Sequence, residues 1–348
     1  MNTRAPLFIP WDDGCWEHVH PDLLYVPHGF AGYPYWMIFT PYPRGDDRFE
    51  NPTLRASQDG LAFVKVPGIP EPVVPAPEDP ELHHADPDLV FHNDCLHVIY
   101  ATIRKKSDET TFNIVSSRDG LMWSKPRIIY RDISVVSPAC VIKGDLWRVW
   151  FIRHERNQKT RFSAPSELLC RQGASPTRLG DECLCHLSIP RHILWHVDVQ
   201  IVDDGYEALV AAFPKGTDSS RTRLFHAVSR DGLRFVLSPN RAILAPSTFG
   251  WDNRTIYRST FLRQPGGVYR IWYSGASWGF HFGIGHLQGP LDALEEDTSA
   301  PIAPIPRLYV RFWQDLMGSL VYQASNNVPE PALSIIRRLR RLHAKQPI

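Results

Sequence analysis

Residues 20–26, His20-Pro21-Asp22-LLYV, followed at 35–41 by YWMIFTP, decide the fold, because the same two lines return four more times. A polar head opening a short apolar run recurs as Asp86-Pro87-Asp88-LVF, Ser137-Pro138-ACVI, His196-Val197-Asp198-VQIV and Arg258-Ser259-TFL. An aromatic-rich strand follows each time, as LHVIYAT (96–102), LWRVWFI (146–152), YEALVAA (206–212) and YRIWYSG (269–275). The second residue of these strands falls at 36, 97, 147, 207 and 270, spacings of 61, 50, 60 and 63, which is the period of a repeat architecture. A third line, Ser-x-Asp-Gly, stands at 57–60, 117–120 and 229–232, with a degenerate copy expected near 175–180. Asp-Gly between apolar runs signals a hairpin, since glycine supplies the positive φ of a tight turn. Each unit therefore reads as four antiparallel strands. Five such units predict an all-β, five-bladed propeller over residues 1–303, in which residues 1–19 close the ring or cover a face.

Working outward, residues 304–348 change character. RFWQDLMGSLVYQAS and ALSIIRRLRRLHAKQPI predict a short C-terminal helical extension, the second with a basic face that reads as solvated. The 31 prolines and 22 glycines suit many short elements, and 43% hydrophobic residues supply an ample core. A net charge of +1 gives no global attraction to nucleic acid or membrane. No run of 18 apolar residues marks a transmembrane segment and no signal peptide opens the chain, so a cytoplasmic protein is expected. The six cysteines are scattered, and Cys183-Leu184-Cys185 lacks the second pair a zinc site needs, so they read as thiols. The oligomeric state is not written in the sequence.

Propeller geometry converts the repeat into a map. The heads of the first strands share one face, and so do the loops between second and third strands, while the Asp-Gly turns lie on the other. One mouth thus gathers His20, Asp22, Asp86, Asp88, His196, Asp198, Tyr257 and Arg258 from the heads. The loops add Glu50 and Asn51, Arg104, Arg153 and Trp278. Several carboxylates facing a cavity with aromatic neighbours suit glycosidic cleavage, which needs one acid and one base or nucleophile flanking the bond. The basic loop residues suit an acidic glycan, gripped by bidentate arginine. His20 with Asp22, and His196 with Asp198, stand two apart on a strand and share a face. They read as hydrogen-bonding partners of sugar hydroxyls, and no metal is assigned to them. Asp59, Asp119 and Asp231 read as turn residues. The tryptophans of the repeat strands (Trp36, Trp147, Trp150, Trp272) read as core, leaving Trp278 for sugar stacking.

These segments resemble the five-bladed propeller glycoside hydrolases, the broad group of arabinanases, xylosidases, invertases and levansucrases, over residues 20–290. In that group a carboxylate heads the first strand of three successive blades. The resemblance implies a modulator role for Asp88, but blade one opens with His20-Pro21 and blade three with Ser137-Pro138, so the usual general acid has no counterpart. The expectation is a glycoside hydrolase acting on a bacterial, acidic polysaccharide, with catalysis shared among Asp22, Glu50, Asp88 and Asp198. Substrate would be held by His20, Asn51, Asp86, Arg104, Arg153, His196, Tyr257, Arg258 and Trp278. No cofactor is expected, and whether a structural ion sits in the central channel is not written in the sequence. The alternative is a non-catalytic glycan-binding propeller.

Overall fold

The computed structural model describes residues 4–11, 16–155, 165–203, 205–248, 250–279 and 281–296. The predicted helical extension at 304–348 lies outside them. Blade one is β1 (His18–Phe30), β2 (Tyr33–Pro41), β3 (Thr53–Ser57) and β4 (Phe63–Val64). Blade two is β5 (Leu82–His92), β6 (Cys95–Arg104), β7 (Glu109–Ser117) and β8 (Arg127–Ile133). Blade three is β9 (Val135–Lys143), β10 (Leu146–His154), β11 (Ser166–Gly173) and β12 (Cys183–Cys185). Blade four is β13 (His192–Val202), β14 (Gly205–Pro214), β15 (Arg223–Ser229) and β16 (Val236–Leu237). Blade five is β17 (Thr255–Gln264), β18 (Val268–Ala276) and β19 (Phe282–Gly289).

Every sheet is an antiparallel meander in chain order. The first strands β1, β5, β9, β13 and β17 touch one another in ring order, and β17 returns to β1, which closes the propeller. Blade five has three strands of its own. Its outer edge is completed by the N-terminal segment, where Pro6 bridges to Gly285 and the Leu7 amide donates to the Ile284 carbonyl at 2.7 Å. Joining the chain's start to its last blade covers an otherwise open edge.

The core lies between blades, where the aromatic second strands stack their side chains. Trp36, Trp150 and Trp272 are wholly buried and Trp147 nearly so. The Ser-x-Asp-Gly turns explain their own composition. In the first, the Ser57 hydroxyl donates to Asp59 and accepts the Gly60 amide, while Asp59 accepts the Leu61 and Ala62 amides. The same set recurs at Asp119 and Asp231, with the glycines at φ 76°, 76° and 73°. Two of these glycine carbonyls also accept an indole N–H from an adjacent blade: Trp272 to Gly60 at 2.8 Å and Trp150 to Gly232 at 2.7 Å. Blade three has no such turn; Gly173 bridges directly to Leu179.

Candidate functional site

The first strand of each blade breaks register near its head, and β1 does so a second time between Tyr25 and Phe30. Pairing skips between Val19 and Asp22, Ala85 and Asp88, Val136 and Ala139, Leu194 and His196, and Ile256 and Ser259. An extra residue in one strand of a pair makes a bulge, which re-aims side chains that regular pleating would send into the inter-blade core. His20, Asp86 and Ser137, each followed by proline, stand at φ 54°, 49° and 58°, a left-handed backbone that is uncommon for residues other than glycine. The repeated irregularity brings side chains from blades one, two, four and five together at the axis.

Two buried clusters result. In the first, His20 Nε2 and His196 Nδ1 each lie 3.3 Å from the same oxygen, Asp86 Oδ1. The other Asp86 oxygen accepts the Ser137 amide at 2.8 Å. The His20 Nδ1 lies 3.0 Å from the Thr40 hydroxyl, which itself donates to the Val19 carbonyl at 3.5 Å. That network assigns the His20 proton to Nδ1 and turns an unprotonated Nε2 toward the carboxylate. Asp86 Oδ1 and both ring nitrogens of His196 are buried without a hydrogen-bond partner. Three donors, all within 4.8 Å of one another, thus converge without the angles of hydrogen bonds. Ligands about 2.1 Å from a shared tetrahedral ion stand about 3.4 Å apart, so these separations are those of a small-cation site. Burial, chiefly, drives His20 down to about 3 and also lowers His196. Burial opposes the charge of Asp86, but His196, His20 and Arg258 outweigh it and hold that carboxyl well below its usual range. Two neutral imidazoles and one carboxylate are the protonation states a divalent cation requires.

Glu50 approaches this cluster from the loop after β2. Its carboxylate lies 3.6 Å from His20 Nδ1 and 3.9 Å from His83 Nε2, and burial, then Asp86 and Asp47, push it well above its ordinary value. Tyr257 packs its ring 4.3 Å from that of His196 and 5.3 Å from that of His20. Burial and Asp86 raise its hydroxyl, which stays protonated and able to donate. Trp195, the bulge residue beside His196, packs its ring at a tilt 5.0 Å from that of His154 and meets that of His196 edge-on at 5.5 Å.

The second cluster lies two residues further along the same strands: Asp22, Asp88 and Asp198, with Arg258. Asp22 accepts the Leu89 amide at 2.6 Å and the Thr260 hydroxyl at 2.9 Å. Asp88 accepts the Cys140 amide at 2.8 Å and Arg258 at 3.1 Å. Asp22 and Asp88 therefore each bind the backbone of the next blade. Arg258, fully buried, also donates to the carbonyls of Asp86 and Pro138, at 3.2 and 3.0 Å. Asp198 keeps one oxygen without a partner, and burial, then Asp22, push it to about 7. Burial also raises Asp22, and burial with Asp22 raises Asp88 well above its usual value.

The remaining candidates take other places. Asn51 donates to the Arg48 carbonyl and braces its own loop. Arg104 pairs with Asp79, and Arg153 with Asp132 and Glu182. Lys105 and Lys106 likewise pair with Asp47 and Glu81, so these rim cations carry carboxylate partners. The Trp278 ring lies 5.9 Å from the Arg254 guanidinium. Sequence reasoning missed His83, Thr40 and Trp195. Thr40 and His83 could have been found from the register of β2 and β5 against the bulges, a signal that needs the pairing itself.

No family model matches the chain. The A type blood N-acetyl-α-D-galactosamine deacetylase of Flavonifractor plautii is 24% identical over 73% of this chain and 39% of that protein, so the chain spans about two fifths of the relative it matches. Among solved structures, an N-acetylgalactosamine deacetylase from F. plautii in complex with blood group B trisaccharide superposes with a TM-score of 0.74 at 20% identity, covering 82% of this chain and 95% of that one. A thermostable family-43 glycoside hydrolase gives 0.60 at 12% identity, covering 84% and 95%. A xylan β-1,4-xylosidase from Bacillus halodurans gives 0.59 at 13%, covering 87% and 58%. The chain has the five-bladed propeller fold that family-43 glycoside hydrolases and a carbohydrate deacetylase share.

Proposed function

We propose that this protein is a carbohydrate-active hydrolase that removes an acyl group, in the first instance N-acetyl, from a sugar at the mouth of the propeller. The observation that carries the reading is the convergence of His20 Nε2 and His196 Nδ1 on Asp86 Oδ1 at 3.3 Å, buried and without hydrogen-bond geometry. These three residues would hold a divalent cation, which when bound supplies Lewis acidity to a carbonyl and to water. The Thr40 hydroxyl orients His20 from behind, as outer partners of ligating histidines do.

The chain's own residues divide the rest of the chemistry. Glu50, raised well above its ordinary value, takes a proton from the attacking water and returns it to the leaving amine. The C–N bond breaks, giving acetate and a free amino sugar. Tyr257, kept protonated, donates to the carbonyl oxygen as negative charge develops there. Support also comes from the deacetylase relative, 24% identical to this chain.

Glycosidic cleavage is the second reading, and Asp198 favours it, with its carboxyl at about 7 and one oxygen free. Against it, Asp22 and Asp88 are committed to the backbone of neighbouring blades, and blade three offers Ser137 where a carboxylate would stand. The test is product analysis with N-acetylated and neutral glycans, after chelation and after adding back zinc or manganese. Acetate and free amine that need the metal support deacylation. New reducing ends support glycosidic cleavage. Binding without either product supports a lectin.

A further inference from the structure

A cleft of about 220 Å³ opens on the mouth face between blades three and four. The strand directions place it there: β13 begins, β14 ends and β11 begins at the end of the blades that carries the first-strand heads. Pro165, Leu187, Ile189, Ile193 and Leu194 give it an apolar lining, and Ser166, Ser188, His192 and Lys215 are its polar groups. Leu194 stands two residues from His196, on the other side of the β13 bulge.

The polar groups are set for a hydroxylated ligand. His192 Nδ1 lies 2.8 Å from the Pro190 carbonyl, which can only accept, so the ring proton is on Nδ1 and Nε2 carries a lone pair. That Nε2 is buried and has no partner. The Ser166 hydroxyl oxygen accepts the Leu194 amide at 2.8 Å, leaving its hydrogen to be donated. A ligand must therefore offer a donor to His192 and an acceptor to Ser166, and rest an apolar face on Leu187 and Pro165, the apolar lining residues that are not buried. A hydroxyl offers both, and a pyranose offers hydroxyls along its edge and C–H groups on its face. The volume is about that of seven waters at ~30 Å³ each, room for one sugar ring and not two.

We propose that this cleft is a second glycosyl subsite, which binds the sugar ring next to the one at the central mouth. It rests on the reading of the protein as carbohydrate-active, but not on which bond is cleaved. The test measures binding by titration calorimetry with N-acetylgalactosamine and with a trisaccharide ending in N-acetylgalactosamine. The wild type, His192→Ala and the cleft-filling Ser188→Trp are compared, with thermal melts checking that each variant folds. The wild type is expected to bind the trisaccharide on the order of ten-fold more tightly, worth about 1.4 kcal/mol. Both variants should lose that gain and keep the monosaccharide affinity. A gain that persists in both variants, or a wild type with no gain, overturns the subsite. Acetate release without the gain overturns the subsite alone; the gain without acetate release overturns deacylation alone.

Discussion

Two clusters on the same three strands, two residues apart, use similar side chains to opposite ends. In the lower one, four of six aspartate oxygens are taken by the Leu89 and Cys140 amides, Thr260 and Arg258. In the upper one, Asp86 Oδ1 and both nitrogens of His196 have no hydrogen-bond partner, although all are buried. Buried polar groups left open cost stability, so a protein keeps them only where something else fills them. Asp22, Asp88 and Arg258 tie neighbouring blades together, and Asp198 Oδ2 is the lower cluster's one open carboxylate oxygen; the proposed function gives the open atoms of the upper cluster a cation to hold.

The largest expected separation between the two follows Asp86→Asn. It should abolish divalent-cation binding and lower acetate release on the order of a thousand-fold, read by calorimetry and an acetate assay. Next comes Glu50→Gln, which should cut turnover by roughly 10²–10⁴-fold while cation affinity stays within a few-fold of wild type. If Glu50→Gln loses the cation too, Glu50 is a ligand and the proton-transfer role fails.

Asp88→Asn tests the lower cluster. It leaves the buried Arg258 without its carboxylate and should cost about 3–5 kcal/mol in chemical denaturation, with the cation site intact. A variant of unchanged stability that loses activity would instead make Asp88 catalytic.

How much of this was legible in the sequence follows from the same contrast. The repeat of polar head and aromatic strand carries the blade number, the strand order and the core tryptophans, because hydrophobic period and turn chemistry are local. The heads also name strands that meet at the axis, bringing His20, Asp86, His196 and Tyr257 into one list. What the string of residues does not contain is which of His20 and Asp22, or Asp86 and Asp88, keeps a polar atom open in the upper cluster and which has every oxygen taken in the lower one. That choice is made by the bulge, a property of pairing between strands. The rim cations show the same limit: Arg104 and Arg153 are basic in sequence, and only the fold shows the carboxylates of Asp79, Asp132 and Glu182 beside them.

The smallest effect lies away from both clusters, and it sharpens the comparison by giving the scaffold's own pH response. His97 lies 2.7 Å from the Ser116 hydroxyl and edge-on to Trp147, and burial lowers it to about 4. Its neutral form is favoured in the fold, while the unfolded chain takes up a proton near pH 6.5. The contribution is full above pH 6.5 and is lost as pH falls toward 4. Reduced by partial exposure, it amounts to about 1–2 kcal/mol. Denaturation of His97→Gln at pH 7.5 and pH 5 should show a shallower fall than wild type; parallel falls would remove His97 as a source.

Titration of the metal-free protein with zinc or manganese tests the central claim most directly, with His196→Ala and Asp88→Asn run beside the wild type. The account predicts one cation per chain in wild type and Asp88→Asn, and none in folded His196→Ala. Binding that survives His196→Ala and disappears in Asp88→Asn would put the ion in the lower cluster and contradict the assignment of the upper one.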